Sequence, residues 1–237
     1  MKNLVVTIGR EFGSAGKDIG LAVAERLGVR CYDKELLAYA SENSEFCQEV
    51  FENNDEKPNN SFLYSLFMDT HSFGGYSTSG FAEVPLNQKV FLAQFETIKQ
   101  IAEKESCVIV GRCADYALQD NDNVVSVFIR ADDDFRIDHL KETYNMDDKA
   151  AKDLMEKVDK KRQNYYNYYT SKRWGDSRSY DLCLNASDLG IDGCTDIILN
   201  YIELKQKNMN STEKHSVHKD PDSKYNNLNE KSVKKIH

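Results

Sequence analysis

The stretch TIGREFGSAGKDIG, residues 7–20, carries the residue types that a phosphate cradle needs. Such a cradle is made of successive backbone N–H groups turned inward, which requires small residues tolerant of unusual dihedrals. Gly13, Ser14, Ala15 and Gly16 supply these. A helix that follows adds free N–H groups and the positive end of its dipole. Lys17 adds a mobile cation suited to β- and γ-phosphates. Measured against the common signature G-x-x-x-x-G-K-[ST], two positions depart: Glu11 stands at the first glycine and Asp18 at the terminal hydroxyl residue. The pattern has meaning only after a strand and before a helix, and that is its context here. Asp18 leaves two readings open. Its carboxylate holds Mg²⁺ through water, or it caps the helix and the metal lies elsewhere.

Other chemistry-bearing residues stand near strand ends. Asp33 follows a short apolar run, at the carboxyl end where open α/β sheets bind ligands; equally, it suits an N-cap for a helix beginning at Lys34. Arg112 ends the run CVIVGR, so its guanidinium emerges at the same sheet edge as the loop and can grip phosphate with two parallel hydrogen bonds. Arg136 follows the next strand. Asp159 and Arg162 stand three apart and share a helix face. On VDKKRQ alone an ordinary intrahelical ion pair is the better reading. The tyrosines at 165, 166, 168 and 169 read first as packing.

Positioning these groups requires a particular order of elements. Lys2 to Ile8 reads as a buried strand, Lys17 to Leu27 as a helix with Gly28 as its C-cap, and Val29 to Tyr32 as a second strand. Strand, glycine loop, helix and strand begin a parallel α/β fold. Residues 41–86 form an insert of aromatic and flexible character, and residues 87–104 an amphipathic helix with Val90, Phe91, Phe95, Ile98 and Ile101 on one side. Strands CVIVGR and NVVSVFIRA follow, then a helix over DDDFRIDHLKETYN whose acidic first turn suits its dipole. A charged helical region over 146–179, a last strand in YDLCLNAS and a last helix complete a domain of residues 1–205. Residues 206–237 are polar and read as a disordered tail.

Composition narrows the function classes. A formal net charge of −8 argues against nucleic-acid binding, which favours a basic face. No apolar run approaches the roughly 18 residues of a membrane span. The cysteines include no C-x-x-C pair, so neither zinc nor dithiol chemistry has a local signature. Cys31, Cys107 and Cys183 fall in apolar runs and are expected to pack as small hydrophobes in a reduced cytoplasm.

The loop, together with YDKELL, VIVGRCADYAL, VFIRADDDFRI, DKKRQNYYNYY and YDLCLNAS, resembles the cytidylate-kinase-like family of P-loop kinases, in order across residues 3 to 203. The resemblance implies a three-layer α/β P-loop kinase fold: a parallel sheet core, an inserted helical monophosphate-binding segment and a helical lid. It implies transfer of the ATP γ-phosphoryl group to CMP or dCMP, with ATP and Mg²⁺ as cofactors and small-molecule nucleotides, not nucleic acid or membrane, as partners. EFGSAGKD is similar to the family's own loop variant, so the departures at Glu11 and Asp18 are family traits by resemblance. By the same resemblance Gly13 to Asp18 bind ATP, and Lys17, Arg112, Arg136 and Arg162 are catalytic. Asp33, Arg112, Asp159 and Arg162 face the acceptor, and Ser187 to Leu189 contact adenine. The lid departs from the bacterial cytidylate kinases in lacking an arginine near Met155 or Glu156, for which Arg173 or Arg178 is the nearest substitute. Another small acceptor, or a regulatory module that binds ATP without transfer, are the alternatives.

Overall fold

The computed structural model describes residues 3–33 and 86–217, with side chains to residue 209. The insert expected over 41–86 therefore lies outside the described residues save for Leu86, as do Cys47 and residues 218–237. So does the helix start at Lys34 that would make Asp33 an N-cap.

Five strands form one parallel sheet: β1 (Val5–Arg10), β2 (Arg30–Tyr32), β3 (Cys107–Val110), β4 (Val124–Arg130) and β5 (Leu182–Asn185), in the order β2-β3-β1-β4-β5. Val5, Val6, Ile8, Val108, Ile109, Val110, Val127 and Ile129 are wholly buried. That is the near-continuous apolar pattern of strands covered on both faces. The described helices are α1 (Gly16–Leu27), α2 (Leu86–Lys104), the single turn α3 (Ala114–Ala117), α4 (Asp133–Tyr144), α5 (Asp148–Thr170) and α6 (Ala186–Val217). The crossover from β1 to β2 runs toward one sheet edge and that from β4 to β5 toward the other. Right-handed crossovers in opposite directions put their helices on opposite faces. The result is helix, sheet, helix.

Local chemistry explains the element ends. Gly28 closes α1 at φ 67°, its N–H bonding the carbonyls of Ala24 and Glu25. Asp147 caps α5 by accepting from the Ala150 N–H at 2.8 Å. Val90, Phe91, Ile98 and Ile101 line the buried face of α2, with Phe95 partly covered. The C-terminal half of α5 delivers Tyr165, Tyr166 and Tyr169 into an aromatic cluster with Phe91, Phe128 and Tyr180. Phe91 and Tyr169 stack at 4.0 Å and 6°. The tyrosine run is thus packing, as its helical spacing implies. The N-terminal half of α5 packs Ala151 and Met155 on Leu140 of α4.

Two expectations are corrected. Cys107 is buried and Cys31 half-buried, but Cys183 is exposed. It lies on β5, the edge strand, where Leu184 takes the inward position and its neighbour must face outward. The last helix also runs past residue 206 to Val217, bending at Gly190. Extending a formed helix fixes one residue per new hydrogen bond, so polar composition alone does not stop it. A Glu203–Lys207 pair at 2.5 Å, four residues apart, adds support there. The chain divides into units 1–198 and 199–237, and the described part of the second is the outer portion of α6.

Phe91→Ala removes one ring of the buried stack and is expected to cost about 3–5 kcal/mol. The shift in urea midpoint at unchanged slope measures it. A loss below about 1 kcal/mol would mean the cluster is not a core.

Candidate active site

Parallel pairing brings distant residues to one edge. Ile8 pairs with Val110, Arg10 with Ile129, Tyr32 with Ile109 and Arg130 with Asn185. The chain beyond each strand therefore leaves from the carboxyl edge: residues 10–18, Asp33, Gly111–Arg112 and Ser187. β1 lies between the two crossover directions, so this edge is the switch point at which open sheets bind ligands.

A cavity of about 540 Å³ opens there, lined by residues 10–18, Asp33, Arg112, Arg162 and a face of α4 with His139 and Thr143. Within the loop, Gly13 (φ 83°) and Ala15 (φ 56°) are left-handed. A Cβ on Gly13 would fall 2.8 Å from the Arg136 carbonyl oxygen, so α4 approaches too closely for any side chain there. The Ser14 hydroxyl donates to the carbonyls of Glu11 and Ile129, at 2.9 and 3.2 Å, and ties the loop to β4. The Ala15 side chain offers no cap, so the first amides of α1 stay with the loop. This geometry fits a polyphosphate.

Lys17, Asp33 and Arg112 meet. Asp33 takes the Lys17 ammonium at 3.3 Å and Arg112 Nη1 at 3.4 Å. Arg112 is buried and left-handed at φ 54°, as is Cys113 after it. Left-handed non-glycine residues cluster at functional sites. Burial alone would push the Asp33 carboxyl up, but Arg112, then Arg10 and Lys17, outweigh it and hold the group below the ordinary carboxylate range.

Arg162 also lines the cavity, its guanidinium 5.3 Å from the Phe12 ring centroid and donating to the Arg10 carbonyl at 3.3 Å. Asp18 faces His139 Nε2 at 3.7 Å. Among the described residues no cluster of three or more His, Cys, Asp or Glu could hold a metal ion.

Arg136 and Asp159 stand elsewhere, behind the loop. Arg136 is buried, pairs with Asp159, approaches Glu11 at 3.8 Å and Asp133 at 3.5 Å, and donates from Nε to the Phe12 carbonyl at 2.8 Å. Asp159 accepts from the Phe12 N–H at 2.8 Å. Neither lines the cavity, and the two together grip Phe12 by its N–H and its carbonyl, the peptide groups on either side of one loop residue. Asp159 therefore pairs across to α4 and the loop rather than within its own helix. Arg178 is exposed and paired with Asp176, and neither it nor Arg173 lines the cavity. The Ser187 hydroxyl accepts from the Asp132 N–H at 2.7 Å.

Sequence reasoning missed Arg10, Phe12 and His139. A signal for the first is present in the sequence: β1 ends in Gly-Arg and β3 runs into Gly-Arg, VVTIGR and CVIVGR. His139 had none, because its helix carries a short polar face.

A parallel sheet in this order, with a glycine loop and lysine between β1 and α1 and cations gathered at the carboxyl edge, defines a P-loop phosphotransferase. The chain belongs to the cytidylate kinase-like family, whose model matches residues 5–188. An uncharacterized protein from Eubacterium ventriosum is 33% identical in its crystal structure, covering 85% of this chain and 99% of that one at a TM-score of 0.64. Shikimate kinase from Bacteroides thetaiotaomicron matches at 16% identity, covering 84% and 98% at a TM-score of 0.46. Deoxyadenosine kinase from M. mycoides matches at 12%, covering 84% and 100% at 0.41. Neither distant match bears on what this chain acts on. No curated protein matches.

A carboxyl held below its unfolded value of about 3.9 contributes stability above that pH and loses it as pH falls through the folded value. Asp33→Asn is thus expected to lower the urea midpoint at pH 7, the difference beginning to shrink only below about pH 4 and closing once pH has fallen through the folded value. A pH-independent difference would exclude the charge pairing. Arg136→Met leaves Asp159 without its main partner and is expected to cost about 3–5 kcal/mol. A double-mutant cycle with Asp159→Asn should show coupling well above additivity, and strict additivity would refute the clamp.

Proposed function

We propose that the chain is a nucleoside monophosphate kinase that transfers the ATP γ-phosphoryl group to CMP or dCMP. One observation carries the reading: Lys17, Asp33, Arg112 and Arg162, which stand far apart in sequence, line one cavity with the glycine loop. Phosphoryl transfer asks a protein mainly for alignment and charge neutralisation, and this cavity offers both.

The loop amides from Gly13 to Asp18 and the Lys17 ammonium hold the ATP phosphates. Asp18, a carboxylate on the cavity wall, would hold through water a magnesium ion bound with the nucleotide, which would supply neutralisation of phosphate charge. Arg112 grips the acceptor phosphate, and its burial makes a bidentate contact worth more than it would be in water. Asp33 accepts hydrogen bonds from the acceptor nucleoside while keeping Arg112 and Lys17 apart. Arg162, on the Phe12 ring at the loop's mouth, is the side chain able to meet charge that develops on the transferring group. Arg136 serves the reaction by fixing Phe12 and Asp159, so that the loop and α5 keep their spacing.

The test incubates the protein with ATP, Mg²⁺ and a panel of nucleoside monophosphates, with small hydroxyl acids as further acceptors. Formation of CDP or dCDP supports the reading. A different phosphorylated acceptor replaces it, and binding without ADP release makes the chain a nucleotide-binding module. Arg112→Ala should slow transfer by about 10³-fold while leaving affinity for a non-hydrolysable ATP analogue within about twofold. An unchanged rate removes Arg112 from the site.

A further inference from the structure

The strands that lead to the two Gly-Arg pairs are neighbours. β1 and β3 pair from Val5↔Cys107 to Ile8↔Val110, and the Gly111 N–H continues the ladder to the Ile8 carbonyl at 3.0 Å. Arg10 and Arg112 therefore each lie two residues past the last pair of these neighbouring strands, at the carboxyl edge.

The path of Arg10 is fixed by two glycines. A Cβ on Gly16 would lie 2.5 Å from the Arg10 Cβ, so the start of its stem is pressed against the first turn of α1. A Cβ on Gly111 would lie 2.1 Å from Arg10 Nη1 and 2.9 Å from its Cζ, so the guanidinium packs directly against Gly111. That leads it beside Asp33, whose carboxyl it helps to hold down after Arg112. Both arginines line the main cavity and, with Arg162, a smaller one behind it beside Asp115 and Tyr166.

Asp33 thus serves three cations, Arg10, Lys17 and Arg112, on one wall of the cavity. We propose that Arg10 and Arg112 together form the seat for the acceptor's phosphate monoester, leaving Lys17 to the ATP phosphates. This deepens the kinase reading and rests on it. Two planar forks side by side match the several oxygens of a phosphate dianion. A carboxylate can reach both, as Asp33 does, but with one charge and two oxygens it satisfies two forks less fully than a phosphate dianion. Arg10 is accordingly a residue that selects acceptors by their phosphate.

The full chain, saturated with a non-hydrolysable ATP analogue and Mg²⁺, is titrated calorimetrically with inorganic phosphate and with CMP. Arg10→Gln should weaken both by on the order of tenfold or more, the loss expected for a charged hydrogen bond. Arg10→Lys should recover part of the loss, and the affinity for the ATP analogue should stay within about twofold. Phosphate binding unchanged in Arg10→Gln, or an equal loss of the ATP analogue, overturns the seat. So does a parent protein that binds neither phosphate nor CMP. If Arg10→Gln does not fold by circular dichroism, Arg10→Lys, which keeps the stem packed on Gly16, decides by the same readings. Phosphate bound through Arg10 with no nucleoside monophosphate turned over would end the kinase reading and leave the seat. CMP turnover indifferent to Arg10 would do the reverse.

Discussion

Positive charge gathered at one edge of a sheet repels itself, and the rest of this site is arranged around that repulsion. Arg10, Lys17, Arg112 and Arg162 reach one cavity, and a buried guanidinium keeps its charge because its proton is never given up at accessible pH. Carboxylates must therefore stand close. Asp33 does so inside the cavity, shared by Arg112, Arg10 and Lys17. Asp159 and Glu11 do so behind it, for Arg136. The two groups have different consequences. Asp33 stands where an incoming anion can take over its partners, so its pairs are exchangeable. Asp159 and Arg136 hold Phe12 by the peptide groups on its two sides, and exchanging either would release the loop.

This division explains which parts were legible in the sequence. The strands, α1 and the loop come from short-range pattern: β-branched runs buried on both faces, a glycine turn and a 3.6-residue stripe. Arg112 and Asp33 come from a topological rule, since a parallel sheet presents the residues just past its strands at one edge. Arg136 was legible as a basic residue after β4 but not as a clamp, because its partners Phe12, Glu11 and Asp159 lie 124, 125 and 23 positions away. Such pairings are properties of the assembled layers. Cys183 has the same lesson in small: a strand-like run does not say that its strand sits at the sheet edge. The length of α6 has another, since helix propagation is weakly sensitive to polarity.

Helix α5 gives the site its second support. Its C-terminal half is fixed in the aromatic cluster by Tyr165, Tyr166 and Tyr169, and Tyr166 donates to Asp115 at 2.6 Å. Asp115 is three residues past Arg112, so the segment that carries Arg112 is bolted to the helix that carries Arg162. Its N-terminal half rests on α4 through Leu140, Ala151 and Met155. The hydrogen bond from Phe12 to Asp159 lies between these two anchors. The helix is therefore a wall of the loop, and its charged groups are registered against the glycine loop by packing at both ends.

The departures from the common loop signature then have physical causes. Positive φ is needed at positions 13 and 15, and a residue at position 11 has no such demand. Glu11 uses its N–H on the Ile129 carbonyl at 3.0 Å and its carboxylate on the Ala131 N–H at 3.1 Å. Burial pushes its carboxyl up, while that N–H and then Arg136 oppose the shift. A glycine there would leave Arg136 with less negative charge and β4 with one fewer tie to the loop. Asp18, in contrast, is half-exposed on the cavity side, opposite His139 on α4. A side chain so placed takes no part in the loop's construction. The first substitution is built into the scaffold, and the second stands apart from it on the cavity wall.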